Sequence, residues 1–155
     1  MNVVNFTQLL SHEASSGVPV HITGIFDTVL AQPTPRAIFV CVSFSQIAKE
    51  AILPYYYRII LRPVQVDNLQ WRHRRIASGI LWDQADKDTV RTLVPQHSGM
   101  LQIKFEVALQ HSGDYEVELY VKPMAQNESQ ADCDAMSAKE LQLMAVTPLK
   151  VLQRH

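Results

Sequence analysis

Between residues 101 and 121 the chain alternates with a period of two. Leu101, Ile103, Phe105, Val107 and Leu109 share one parity, and Gln102, Lys104, Glu106, Ala108 and Gln110 share the other. Successive side chains of a strand point to opposite faces, whereas apolar residues of a helix recur every three or four positions, so this stretch is written as a half-buried β-strand. After Gln110-His111-Ser112-Gly113 the alternation resumes, with Tyr115, Val117, Leu119 and Val121 inward and Asp114, Glu116, Glu118, Tyr120 and Lys122 outward. The two segments predict a β-hairpin whose outer Lys and Glu side chains pair across the strands.

The same period recurs upstream. Val18, Val20, Ile22 and Phe26 share a parity in an early strand, with Gly24 as its bulge. Pro33-Thr34-Pro35 breaks the chain, and residues 37–44 are apolar on both faces, as a central strand requires. Residues 45–51 have helix-compatible composition closed by Pro54, which predicts a helical turn. Residues 55–62 put Tyr55, Tyr57, Ile59 and Leu61 on one face and Tyr56, Arg58, Ile60 and Arg62 on the other, with Pro63 as the limit. Weaker strand signals cover residues 69–73, 76–82 and 89–94, and a last strand covers 141–152, interrupted by Pro148.

Roughly eight or nine short strands with little helix and no βαβ rhythm predict an all-β, antiparallel two-sheet β-sandwich, immunoglobulin-like or Greek-key in connection. The 155 residues suit one domain, residues 1–155. Between about residues 125 and 139 the composition turns to Gln, Asn, Glu, Ser and Asp, which predicts a mobile polar insertion with one helical turn near its end.

The run Gly17-Val18-Pro19-Val20-His21-Ile22-Thr23-Gly24-Ile25-Phe26-Asp27 places a Gly-x-Phe-Asp step before a proline loop. In this it resembles a bacterial family of small single-domain proteins of unknown function, and the similarity extends to Ser112-Gly113-Asp114-Tyr115-Glu116-Val117. The resemblance implies a first strand at residues 3–10 and a β-sandwich across nearly the whole chain, and brings no activity, cofactor or catalytic residue. Gly113-Asp114-Tyr115 is also similar to the entry into a late strand of immunoglobulin-like sandwiches, where a tyrosine hydroxyl ties back to a nearby corner.

Hydrophobic residues make up 47% and charged residues 19%, which is globular composition. Lys plus Arg number 14 against 15 Asp plus Glu, so bulk charge selects no polyanion, and any such site is local. No apolar run approaches the ~20 residues of a membrane-spanning helix. The N-terminal residues carry no secretory pattern, so the expected compartment is the cytoplasm. Of the two cysteines, Cys41 lies in a strand pattern and is expected as a buried small hydrophobe, and Cys133 lies among aspartates and is expected exposed.

Catalytic patterns are missing. Asp83, Asp86 and Asp88 suggest a calcium loop, but the sixth and twelfth positions hold Asp88 and Val94 where glycine and glutamate belong. The 6 histidines show no metal-ligand spacing, Ser98-Gly99 and Ser112-Gly113 read as turns, and the 5 glycines form no phosphate loop. No cofactor, metal or catalytic residue is therefore expected. The densest positive charge is Trp71-Arg72-His73-Arg74-Arg75, and arginine beside an aromatic is the pairing that grips phosphates and stacks on bases. Arg58 and Arg62 could widen that patch from the neighbouring strand, although a solvated edge strand carries such charges too. Tyr56 is forced to the face opposite Tyr55 and Tyr57, so one side of that strand is wetter, and exposed Tyr with Arg is typical of interfaces. Two functions follow from these residues: a non-enzymatic module for protein binding or self-assembly, or a phosphate or nucleic-acid binder through residues 71–75.

Overall fold

A computed structural model describes residues 3–15, 21–48, 51–67, 69–83 and 96–153. Among them are nine strands in two sheets. The first sheet joins β1 (Val3–Ser15), β2 (His21–Ile25), β4 (Arg36–Ile47) and β7 (Gln96–Val107) in the order β2-β1-β4-β7, all antiparallel. The second joins β3 (Thr28–Leu30), β5 (Tyr55–Val66), β6 (Arg74–Leu81), β8 (Gly113–Pro123) and β9 (Gln142–Leu152) in the order β3-β9-β8-β5-β6. It is antiparallel except for the short β3–β9 ladder.

Both sheets feed one core. Leu10, Ile38, Val40 and Val42 enter it from the first sheet, and Tyr57, Ile59, Leu61, Val117, Leu119, Leu149 and Val151 from the second. Each set follows the alternation of its strand, so burial of one face fixes the register: a slip of one residue would turn every one of these side chains to solvent. Gln8 occupies an inward position among Val4, Phe6 and Leu10, and its amide ties the sheets together by donating to Val117 O and Thr147 Oγ1, each at 2.9 Å. Trp82, at φ 55°, follows β6 in a left-handed conformation that costs about 1–2 kcal/mol. Its buried ring meets Phe44, Tyr55 and Phe6 edge-on, at centroid distances of 5.2, 5.8 and 6.2 Å.

Several expectations are corrected. The segments around residues 101–110 and 114–122 are strands with the predicted facing, but they are not a hairpin: β7 pairs with β4, and β8 pairs with β5 and β9 in the other sheet. Their outer Lys and Glu residues therefore do not meet across strands. The chain between them crosses from sheet to sheet, held by Leu109, which is buried and accepts from the Gln32 amide, and by the Tyr115 hydroxyl, which donates to His111 O at 2.8 Å. The helical turn expected at residues 45–51 is strand as far as Ile47. Residues 49–50 lie outside the described residues, and buried Gln46 donates to Leu53 O and accepts from the Leu53 backbone N–H, tying the end of β4 to the residues just before β5. Residues 69–73 are not a strand, and the weak signal at 89–94 lies outside the described residues. Pro63 does not end β5; the ladder to β8 shifts register there and continues. Pro148 sits inside β9 because β3 pairs only from Lys150 onward, so the missing amide leaves no partner unsatisfied on that side.

The segment expected as a mobile loop is built and docked. Helix α1 (Gln130–Asp134) opens with a capping box between Ser129 and Asp132, and a 3-10 turn follows at Ala138–Glu140. Cys133, expected exposed, is buried with Tyr56 and Leu141 in a second small core, flanked by Tyr120 and Met124. Both cysteines are free and buried, Cys41 as expected. No helix among the described residues is long and apolar enough to cross a membrane.

Candidate functional site

The residues picked out by charge divide among three places. The first is the end of the second sheet, where the chain leaves β5 and loops through residues 69–73 into β6. Trp71 packs against the buried Tyr115 ring, with centroids 6.1 Å apart and planes tilted by 32°. Arg74 lays its guanidinium over the Trp71 ring at 4.8 Å. With Leu69, Gln70, Gln110 and His111, these side chains line an open cleft of about 400 Å³. The Trp71 ring holds the Arg74 cation at the wall of the cleft, and among the described residues no carboxylate pairs with it. Arg72 and His73 are exposed beside it.

The second place is the outer face of β5 and β6, under α1. Arg58 and Tyr56, expected to present a binding surface, are 2% and 0% exposed. Their parity is outward as predicted, but α1 and its flanks roof that face. Arg58 donates to the Tyr56 hydroxyl at 3.0 Å, to Cys133 O at 2.7 Å and to Asp134 O at 3.3 Å. The Tyr56 hydroxyl donates in turn to Asp134 Oδ1 at 2.6 Å. Arg75 comes to the same helix end from outside, donating to Asp134 O at 3.1 Å and standing 3.6 Å from its carboxylate. The Tyr56 hydroxyl, followed by the Ser78 hydrogen bond and the Arg75 and Arg58 charges, holds the Asp134 carboxyl below its usual range, while burial pushes the Tyr56 phenol up. The phenol therefore stays protonated and keeps its bond to the carboxylate. This arrangement fastens a helix and leaves Arg58 and Tyr56 no free face for a ligand.

Arg62 stands in the third place, along β5, and is tied to Glu118 at 2.8 Å. The Tyr120 hydroxyl also donates to Glu118, at 3.1 Å. Burial, with Glu118 beside it, raises the Glu116 carboxyl. Among the described residues no group of three His, Cys, Asp or Glu side chains could hold a metal ion.

A fourth feature escaped the charge-based reading. β7 lies at the margin of its sheet, 12 residues long, paired with β4 along its whole length without a register shift. Among the described residues no strand pairs with its other side. Leu101, Ile103 and Phe105 are only half-buried there, Lys104 and Glu106 are exposed, and Met100 is 41% exposed. A signal existed in the sequence: the 101–110 stretch has the cleanest alternation in the chain and contains no proline. Comparison of this chain with protein-family models, with curated proteins and with solved structures returns no match.

Proposed function

We propose that this chain is a non-enzymatic β-sandwich module, immunoglobulin-like or Greek-key, that works by binding another polypeptide along β7. One core fed by both sheets and the Tyr115 hydroxyl turned back to His111 support the sandwich reading. The observation that carries the binding reading is the state of β7: 12 residues of regular strand with one ladder filled and half-buried apolar side chains at the margin. An open strand edge offers a row of amides and carbonyls to an added strand, while its alternate side chains supply selectivity. The test is a labelled peptide with the sequence of residues 98–107, titrated into the protein and read by anisotropy and by hydrogen exchange. Saturable binding that slows exchange in β7 and not in β6 is the expected result. No binding, with β7 already as protected as β4, overturns the reading.

A second reading keeps the notable pair at the cleft: a phosphate group held by Arg74 against Trp71. The guanidinium over the Trp71 ring, 4.8 Å from its centroid, favours it. An oligonucleotide needs an array of free cations along its backbone. Here Arg58 is buried, and Arg62 and Arg75 are engaged with Glu118 and Asp134, which leaves Arg72 and Arg74. Inorganic phosphate and fluorescent oligonucleotides, titrated across a salt series into wild type and the Arg74→Ala variant, test this reading. Binding that weakens with salt and is lost in the variant supports it, and equal signals from the two proteins refute it.

A further inference from the structure

We infer that the strand received by β7 is β7 of a second copy of this chain, paired antiparallel about a two-fold axis at Phe105. The inference rests on the open-edge reading above and adds the partner and the register. Two copies related by an axis normal to the sheet extend it edge to edge, and residues facing each other then lie on the same face, so the axis passes at a residue.

Charge selects that residue. The outer face of β7 carries Lys104 and Glu106, both exposed, with Met100 and Gln102 before them. An axis at Lys104 sets Lys104 against itself, and one at Glu106 sets Glu106 against itself, which is destabilising for charges directly across a ladder. An axis at Ile103 faces Lys104 with Gln102 and Glu106 with Met100, leaving both charges without an opposite. An axis at Phe105 sets Lys104 of each copy against Glu106 of the other. On the inner face the same register puts Phe105 against Phe105 and Ile103 against Val107. Phe105 and Ile103 are half-buried in the single chain and would be covered by their counterparts. The two faces therefore agree on one register.

The chain leaves the strand after Val107, so the ladder covers Ile103 to Val107 of each copy and the contact is small. It is an association that depends on concentration and on salt.

The experiment is sedimentation equilibrium of the full chain over a concentration series, for wild type, Lys104→Glu, Glu106→Lys and the double exchange of the two. The expected result is a monomer–dimer equilibrium in wild type, weakened tenfold or more by each single change and restored by the double exchange, which rebuilds the facing pair with the signs reversed. Circular dichroism melting of all four proteins confirms that these exposed positions leave the fold intact. Wild type that remains monomeric at its highest soluble concentration overturns the inference. So do single variants that associate as wild type does, which would locate the contact elsewhere. The 98–107 peptide separates the two failures: binding of the peptide by a strictly monomeric protein rejects the second copy and keeps the open edge, whereas absence of both rejects the edge as well.

Discussion

The two long edge strands, β6 and β7, are consecutive in the chain and end up treated in opposite ways. β6 carries Arg74 and Arg75, its ladder to β5 shifts register at Ile59/Ile60, and α1 lies against it with the Gln130 amide reaching Ser78 O at 3.4 Å. β7 carries the exposed charges Lys104 and Glu106, but among the described residues it has neither a register shift nor a covering helix, and it keeps a continuous ladder with β4. Charge, irregularity and a covering helix are the ordinary means by which a sheet margin is made unattractive to other strands. The irregularity and the covering helix both fall on β6, where the polar segment of residues 125–140 docks, and β7 is the long edge left open among the described residues.

The most disruptive way to break this contrast is to strip the cover from β6. Arg58→Ala removes the buried cation that holds Cys133 O, Asp134 O and the Tyr56 hydroxyl. Deleting one member of such a buried charged network costs about 3–5 kcal/mol. Urea unfolding should show that loss, with hydrogen exchange rising first in α1 and along β6. A loss confined to β7 would mean that the contrast between the edges is misread.

Tyr56→Phe is the milder version. It deletes the donor to Asp134 and the acceptor of the Arg58 Nε proton, for about 1–3 kcal/mol. It also carries a pH signature. Because Asp134 is held below its usual range in the folded protein, its contribution is present above the unfolded carboxyl value and is lost as pH falls through the folded one. The α1 cover should therefore loosen in acid, below the ordinary aspartate range. Tyr56→Phe should raise the Asp134 titration toward that range, as a carbon-detected NMR titration would record.

The edges share one device, and it ranks next. Gly79 of β6 lies opposite Tyr57, and Gly99 of β7 lies opposite Phe44, so each edge offers a glycine beneath an aromatic ring of its inner neighbour. A Cβ added at Gly79 would come within 2.8 Å of the Tyr57 ring and hydroxyl, and one at Gly99 within 2.8 Å of the tip of Phe44. Overpacking of this kind costs about 1–3 kcal/mol. Gly79→Ala should sit at the upper end, because Tyr57 is buried, and Gly99→Ala at the lower, because half-buried Phe44 has room to tilt. Thermal melts of the two variants give the order directly.

Period-two patterning made the faces legible. Val40, Leu61, Val117 and Leu119 are in the core as their parity requires, and Tyr56 and Arg58 do point away from it. Patterning cannot name a strand's neighbour, since two consecutive half-buried strands read alike whether they pair or part. That is why β7 and β8 look like a hairpin and yet belong to different sheets. It also says nothing about what lies over an outward face. The cover on Arg58 comes from Cys133 and Asp134, 75 and 76 residues along the chain, in a segment whose composition resembles a loop. Its single legible cue is the Ser129-x-x-Asp132 cap. Trp71 and Arg74 were legible as a pair because they are close in sequence, and they do meet.

Arg75 supplies the finest test of how the covered edge is held. It belongs to the charged cluster visible in the sequence, and it reaches the same Asp134 that Tyr56 reaches from below. Its side chain is 41% exposed and stands 3.6 Å from the carboxylate, so water and salt screen the attraction and about 0–1 kcal/mol is the expected cost of Arg75→Gln. The effect should shrink as salt is added, whereas that of Arg58→Ala should not, because Arg58 is out of reach of counterions. Urea unfolding of both variants at low and high salt makes the comparison. Equal costs that vanish together in salt would mean that surface charge closes β6. A large salt-independent loss at Arg58 beside a small salt-dependent one at Arg75 would locate the closure in buried hydrogen bonds, and the loop-like composition of the insertion would then hide a structural part of the second sheet.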